Sequence, residues 1–243
     1  MVLHFGVYEC RLSRWSSLSS ALGLAVFIFL GQWQLERAAQ KQALVDEYSQ
    51  RALQAPIEID GRLRPWADYR YSKAVAHGQY DLQRQWLLDN RIHNGRAGYH
   101  VLTPLLIDGH NAVVLVNRGW ISWGMRRSRL PELPGPNGVV TVRGTIHPPP
   151  KVYQLAPDKA HDGTWPAVVQ ALALDKMAAA LGFPLLPIVI HLEPDDEHGF
   201  IREWQAVVGM TPAKHRAYAV QWFLFAVVLC GITVGVNTRR VDR

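Results

Sequence analysis

The chain has 243 residues, 49% of them hydrophobic, and a formal net charge of +6. That length suffices for one large core or two small ones, and the apolar share is ordinary for a globular protein but gathered into two blocks. Several of the cations border those blocks, where they serve topology, so the positive balance does not point to nucleic acid.

The first block, SLSSALGLAVFIFLGQWQL, covers residues 17–35 without a charge. At 1.5 Å rise per residue it reaches roughly 28 Å, about the thickness of a bilayer's hydrocarbon core. Arg11 and Arg14 precede it, as in a signal peptide, but bulky GQWQLER follows Leu30 in place of a small-residue cleavage pattern. The segment therefore reads as an uncleaved anchor. ERAAQKQALVDEYSQRALQ follows, rich in helix formers and free of Gly and Pro before Pro56, which predicts that the helix continues. Residues 56–68 read as irregular.

From Tyr69 the texture becomes short runs of Val, Ile, Tyr and Trp separated by Gly, Asn, Asp and Pro. The candidate strands are RYSKAVAHGQY, RQWLLDNR, GYHVLTPLLI, AVVLVNRGW, VVTVRGTIH, PAVVQAL, LLPIVIHLE and IREWQAVV. IDGHN is a turn signal and PELPGPNG a loop. LDKMAAALG predicts one short helix capped at Gly182. Repeated short strands favour an antiparallel sheet or barrel.

The second block, YAVQWFLFAVVLCGITVGVN, covers residues 218–237, again without a charge. Two charge-free helices at opposite ends of one chain read more readily as membrane spans than as core helices. Short tails set orientation, and Arg11, Arg14, Arg239, Arg240 and Arg243 lie on them, which puts both tails in the cytoplasm and the long central segment outside. In a bacterium that side is periplasmic. Cys10 falls in a tail and Cys230 in a span, so they cannot pair, and the outer domain offers no thiol for redox or copper chemistry.

No nucleophile elbow, P-loop, HExxH or dinucleotide fingerprint occurs. HLEPDDEHGF gathers His191, Glu193, Asp195, Asp196, Glu197 and His198, but Pro194 breaks the strand and leaves the acids in a solvated loop. WGMRRSRLPE, residues 123–132, reads as a solvated basic loop. His93, His100 and His110 have no fixed spacing to a second ligand and read as ordinary surface or core histidines.

The stretch KHRAYAVQWFLFA, residues 214–226, stands apart. On a helix His215, Tyr218 and Trp222 share a face at the outer boundary of the second span. A neutral imidazole can ligate haem iron there, the aromatics can pack on the macrocycle, and Lys214 or Arg216 can pair with propionates. The same residue types also suit plain anchoring in the headgroup belt, and spacing leaves both readings open. At the matching depth of the first span lie Gln32, Trp33, Gln34 and Arg37, with Gln32 and Gln221 placed to bond across a helix pair.

Taken in order, GQWQLERAAQK, GYHVLTPL, VLVNRGW and KHRAYAVQWFLFA resemble the surfeit locus protein family, membrane proteins that assist assembly of cytochrome c oxidase. The resemblance covers nearly the whole chain. Bacterial members are similar to haem a binding proteins that help place that cofactor in oxidase subunit I, and the family's histidine before the second span falls on His215, the implied ligand of the haem iron. Trp33, Arg37, Tyr218 and Trp222 carry over as motif positions. Many relatives have Asn where this chain has Lys214.

The expected fold is a membrane α+β protein, two terminal transmembrane helices flanking an antiparallel, barrel-like, β-rich extracytoplasmic domain with one short helix. Its expected segments are a cytoplasmic tail (1–16), transmembrane helix (17–35), helical extension (36–55), periplasmic β-rich domain (56–213), second transmembrane helix (214–237) and cytoplasmic tail (238–243). The resemblance implies a non-enzymatic assembly factor in the bacterial inner membrane that transiently binds haem a through His215, with cationic help from Lys214, Arg216 or Arg37, and assists its insertion. Subunit I, haem a synthesis enzymes and lipid are the expected partners, and nucleic acid is not. The alternative is a membrane-anchored scaffold for oxidase assembly that ligates no haem, in which NRGW at residues 117–120 is structural.

Overall fold

The computed structural model describes residues 2–5, 8–11, 14–62, 64–124, 130–150, 163–204 and 209–240. In chain order its elements are β1 (Val2–Phe5), β2 (Tyr8–Arg11), α1 (Arg14–Ala52), β3 (Ile57–Glu58), a 3-10 turn (Trp66–Tyr69), β4 (Lys73–Tyr80), β5 (Trp86–His93), β6 (Arg96–Ile107), β7 (Val113–Ser122), β8 (Val139–His147), β9 (Ala167–Val169), α2 (Leu174–Leu181), β10 (Leu185–Leu192), α3 (Pro212–Asn237) and β11 (Thr238–Arg240). They fall into two compact units, residues 1–46 with 205–243, and residues 47–204.

In the first unit the two charge-free blocks form helices long and apolar enough to cross a membrane. With no Gly or Pro after Gly31 to interrupt it, the first helix runs unbroken to Ala52. The helices pack antiparallel, because contacts that climb α1 descend α3. Ser20 Oγ lies 2.8 Å from Thr233 Oγ1, Phe27 stacks on Trp222 with ring centroids 5.9 Å apart, and Gln34 meets His215. A Cβ on Gly31 would sit 2.6 Å from the Phe223 ring, so the bare glycine is what lets that ring lie against α1. Away from this seam the side chains are apolar and exposed, Phe29 at 68% and Val227 at 66% among them. The backbones of β1, β2 and β11 form a small antiparallel sheet.

The second unit is one eight-stranded sheet in the order β3-β4-β8-β10-β7-β6-β5-β9, with a further pairing of β4 to β6. That pairing joins Gly78–Tyr80 to Leu105–Ile107 and closes a circuit of hydrogen-bonded strands, β4-β8-β10-β7-β6. β4 alternates, sending Ala74, Ala76 and Tyr80 inward, whereas β7 is buried along Val113–Trp120 and reads as a central strand. Ala74, Val114, Ile146, Ile188 and Ile190, from β4, β7, β8 and β10, belong to one buried apolar cluster.

The sheet is mixed, which corrects the antiparallel expectation: β10 pairs parallel with β7, β9 with β5 and β3 with β4. The cause lies in the connections. β10 returns through α2 and enters between β7 and β8, an insertion that local turn signals cannot reveal. Where hairpins are local they are regular. Asn94 and Gly95 both take positive φ, 47° and 74°, in the two-residue turn of β5–β6. Gly182 ends α2 in the left-handed region with its N–H on Ala178 O. Of the eight candidate strands only IREWQAVV forms none among the described residues. Ile201 makes a lone bridge to Trp120, and residues 205–208 lie outside the described residues.

Candidate functional site

The start of α3 is fixed by Thr211, whose Oγ1 accepts from the Lys214 N–H at 3.3 Å, and by Pro212 in the first turn. This phase turns Pro212, His215, Ala219 and Ala226 inward. On α1 the buried residues are Gly31, Gln34 and Ala38, spaced three and four apart on one face. Small residues on either side of Gln34 and beside His215 let the two polar side chains meet. His215 and Gln34 are each 9% exposed, and His215 Nδ1 lies 2.7 Å from Gln34 Oε1. An amide oxygen only accepts, so in this orientation the imidazole Nδ1–H is the donor.

The other expected site residues are dispersed around this pair. Lys214, Tyr218 and Gln221, with Gly209, Met210 and Ala217, line an open cavity of about 600 Å³, and His215 is not part of its lining. Arg216 is exposed. Trp222 is half-buried, stacked on Phe27 and edge-on to Phe225 with centroids 5.7 Å apart. Trp33 is 41% exposed with the Arg37 guanidinium 5.7 Å from its ring, and Arg37 also donates to Gln40 Oε1 at 3.0 Å. On α3, His215 and Trp222 both contact α1, and Tyr218, one turn after His215, lines the cavity. The Gln32–Gln221 bond is corrected, since both residues are exposed and the polar link between the helices is Gln34–His215. Gln34 stood in the polar cluster at the end of the first span but had no expected role. Helical phase relative to the partner helix was the missing information.

In the second unit, three strands and two connecting segments bring together rings that the sequence keeps apart. His147 on β8 and His191 on β10 stack with centroids 3.7 Å apart. His191 lies 4.3 Å from Trp204, which meets His100 of β6 edge-on at 5.7 Å, and Tyr71 meets His147 edge-on at 5.3 Å. Trp204 Nε1 donates to Leu192 O at 2.7 Å. His147 Nε2 and His191 Nδ1 are buried with no hydrogen-bond partner. Burial holds His147 down to about 4. Burial, aided by Arg91 and His93, does the same to His100, also about 4. Burial and the neighbouring His147 and His100 lower His191 well below the usual imidazole range. All three are neutral at pH 7. The acids after Pro194 lie in turns, Asp196 Oδ1 accepting from the His198 N–H at 2.9 Å.

Arg118 of NRGW is 1% exposed. It donates to His198 O from Nε at 2.9 Å and from Nη2 at 2.5 Å, and to Pro134 O at 2.5 Å. Its guanidinium lies 5.1 Å from the Phe200 ring and 5.4 Å from that of Tyr80. Burial lowers its pKa, opposed by Tyr80 and Asp196. This is a strap for two loops. Met125 to Arg129 of the basic loop and the side chains of Cys10, Arg11, Arg239, Arg240 and Arg243 lie outside the described residues.

The model of the SURF1 family matches residues 21–227. Among curated proteins, this chain is similar to the Saccharomyces cerevisiae cytochrome oxidase assembly protein SHY1, 29% identical over 99 residues, 40% of this chain and 25% of that protein. It is similar to the Arabidopsis thaliana Surfeit locus protein 1, 32% identical over 127 residues, 46% of this chain and 36% of the relative. A Caenorhabditis briggsae SURF1-like protein is 26% identical over 170 residues, 59% of this chain and 53% of the relative. The matched stretch therefore spans between a quarter and about half the length of these relatives.

Proposed function

Because this chain belongs to the SURF1 family, its match running through both terminal helices and the sheet, we propose that it is a membrane-anchored assembly factor for cytochrome oxidase that holds haem a at His215. The oxidase role is supported by the likeness to the yeast cytochrome oxidase assembly protein. The membrane reading rests on two helices whose outward faces are apolar and on cationic tails, which by the short-tail rule put the tails in the cytoplasm and the sheet unit on the periplasmic side. The strand circuit β4-β8-β10-β7-β6 reads as a small barrel.

The single observation that carries the haem reading is the buried Gln34–His215 bond. A metal-ligating histidine typically donates its other ring N–H to a fixed acceptor, and that is what Nδ1 does here. The residues fit the group: His215 supplies a nitrogen ligand, Lys214 a cation for propionates, and Tyr218 and Trp222 apolar ring surface. Bound haem a would be cargo held for transfer to subunit I, and this chain's part is to ligate, shield and release it. Trp33 and Arg37 form a stacked pair on α1 that offers a second cation in the same unit.

The test is co-expression with haem a synthesis enzymes, purification in detergent and absorption spectroscopy of wild type and His215→Ala. Co-purifying haem whose spectrum is lost in the variant supports ligation. A wild type that purifies without haem under these conditions overturns it in favour of a scaffold. Alkaline phosphatase fused after residue 160 should be active if the central segment is periplasmic, and inactive fusions would reverse the orientation.

A further inference from the structure

We propose that Gln34 is a positioning residue that locks the tautomer of His215, so that Nε2 and not Nδ1 is the nitrogen presented to a metal. The inference rests on the haem reading above for its purpose, but its geometry stands independently. The two residues lie 181 positions apart in sequence and meet at 2.7 Å in a buried contact between α1 and α3. With the amide oxygen turned to the ring, as here, the Nδ1–H tautomer makes the hydrogen bond, whereas the Nε2–H tautomer would need the amide to turn and donate its NH2 instead. Both side chains are buried, so the orientation of the Gln34 amide sets the tautomer of the ring beside it.

Two neighbours keep the bond in place. Gly31, one turn before Gln34, admits the Phe223 ring, and Phe27 stacks on Trp222 a turn further along, so the helices cannot slide without dismantling aromatic contacts. On the other side Ala38 is buried on the same face of α1. Gln34 thus chooses the ligand atom without touching the metal.

The experiment labels histidine with ¹⁵N in the full chain in detergent and reads the tautomer of His215 by long-range proton–nitrogen correlation, its signals assigned by their absence in His215→Ala. Wild type is expected as Nδ1–H. Gln34→Glu keeps an acceptor oxygen and should keep that tautomer. Gln34→Leu should shift the ring toward Nε2–H, the form favoured by free imidazole side chains. In parallel, iron protoporphyrin IX is titrated into each protein and followed by its Soret band. Gln34→Leu should weaken binding by roughly 10- to 100-fold and Gln34→Glu far less. An Nε2–H wild type, or a tautomer unmoved by Gln34→Leu, overturns the inference whatever the titration gives. Should Gln34→Leu fail to fold, Gln34→Met, of similar length and without an amide, takes its place, and a tautomer it leaves unmoved overturns the inference. If His215→Ala binds the porphyrin like wild type, the ligand reading falls, while the tautomer arm still settles the lock.

Discussion

The imidazoles of His147 and His191 stack face to face, centroids 3.7 Å and planes 12° apart, with one ring nitrogen of each buried and without a partner. Two neutral rings tolerate this contact, but a protonated ring must shed water and face its neighbour's dipole. With the folded pKa of His147 at about 4 and an unfolded value near 6.5, the unfolded chain binds more protons between those limits. Stability is therefore full above about pH 6.5 and falls as pH drops toward 4. His100 follows the same window and His191 is shifted the same way. The expected loss at pH 5 is about 2 kcal/mol each for His147 and His100, with His191 adding in the same direction. Urea midpoints of the full chain in detergent at pH 8 and pH 5 measure it. His147→Phe should flatten the dependence and be no less stable at pH 8, because it removes an orphaned nitrogen. A pH-independent wild type would contradict the stack as drawn.

Arg118 makes a different prediction, because its described hydrogen bonds go to neutral oxygens of Pro134, His198 and Gln85. Gln85 is itself held, donating to Leu82 O and Leu133 O and accepting from Thr103 Oγ1 at 2.7 Å. Lysine keeps the charge but cannot fork to two loops. Arg118→Lys should cost about 2 kcal/mol and Arg118→Met about 3, from carbonyls left without donors. Hydrogen exchange should rise first in residues 130–137 and 196–200. Unchanged protection there would show that the strap is not Arg118.

How far the sequence discloses this molecule depends on whether a feature is local. The charge-free runs, the Asn94–Gly95 turn and the Gly182 cap are set by neighbours along the chain, and each could be read from residue order. The parallel seat of β10 between β7 and β8 depends on where a strand goes after leaving α2, and no turn residue encodes that. The candidate site divides the same way. His215 was visible because a histidine between Lys214 and Arg216 at the mouth of an apolar run is unusual. Its bond to Gln34 was not, because helical phase between α1 and α3 is a tertiary fact. The ring stack was hidden for the same reason, His100, His147 and His191 lying on three strands separated in sequence.

Exposure decides what Lys214 contributes to porphyrin binding. Its ammonium lies on the open cavity with Tyr218 and Gln221, in contact with solvent, so a pair with a propionate is screened and worth about 0–1 kcal/mol. Lys214→Gln is expected to weaken iron protoporphyrin IX by no more than about fivefold at low salt, converging on wild type in high salt. Titrations at two ionic strengths measure this. A loss as large as that of His215→Ala would mean that the cation is buried in the complex.

The last prediction concerns the seam itself. A Cβ on Gly31 would lie 2.6 Å and 2.7 Å from two atoms of the Phe223 ring, closer than packed carbons approach, so Gly31→Ala must displace the ring or part the helices. The helix gains propensity from alanine, about 1 kcal/mol, which the clash opposes. In Gly31→Ala the overlap should win, costing a net of about 1–2 kcal/mol, and Gly31→Leu should cost more. Phe223→Ala removes the obstructing ring, and in that background Gly31→Ala should become neutral or stabilising. The two changes are therefore strongly non-additive, a coupling measurable as a double-mutant cycle on thermal unfolding in detergent. Additive effects would mean that the ring does not rest on the glycine. Because Gln34 is one turn away on the same face, Gly31→Leu should also loosen the His215 bond, visible as a shift of that histidine's tautomer toward Nε2–H, while a change on the exposed face such as Phe29→Ala leaves it unmoved.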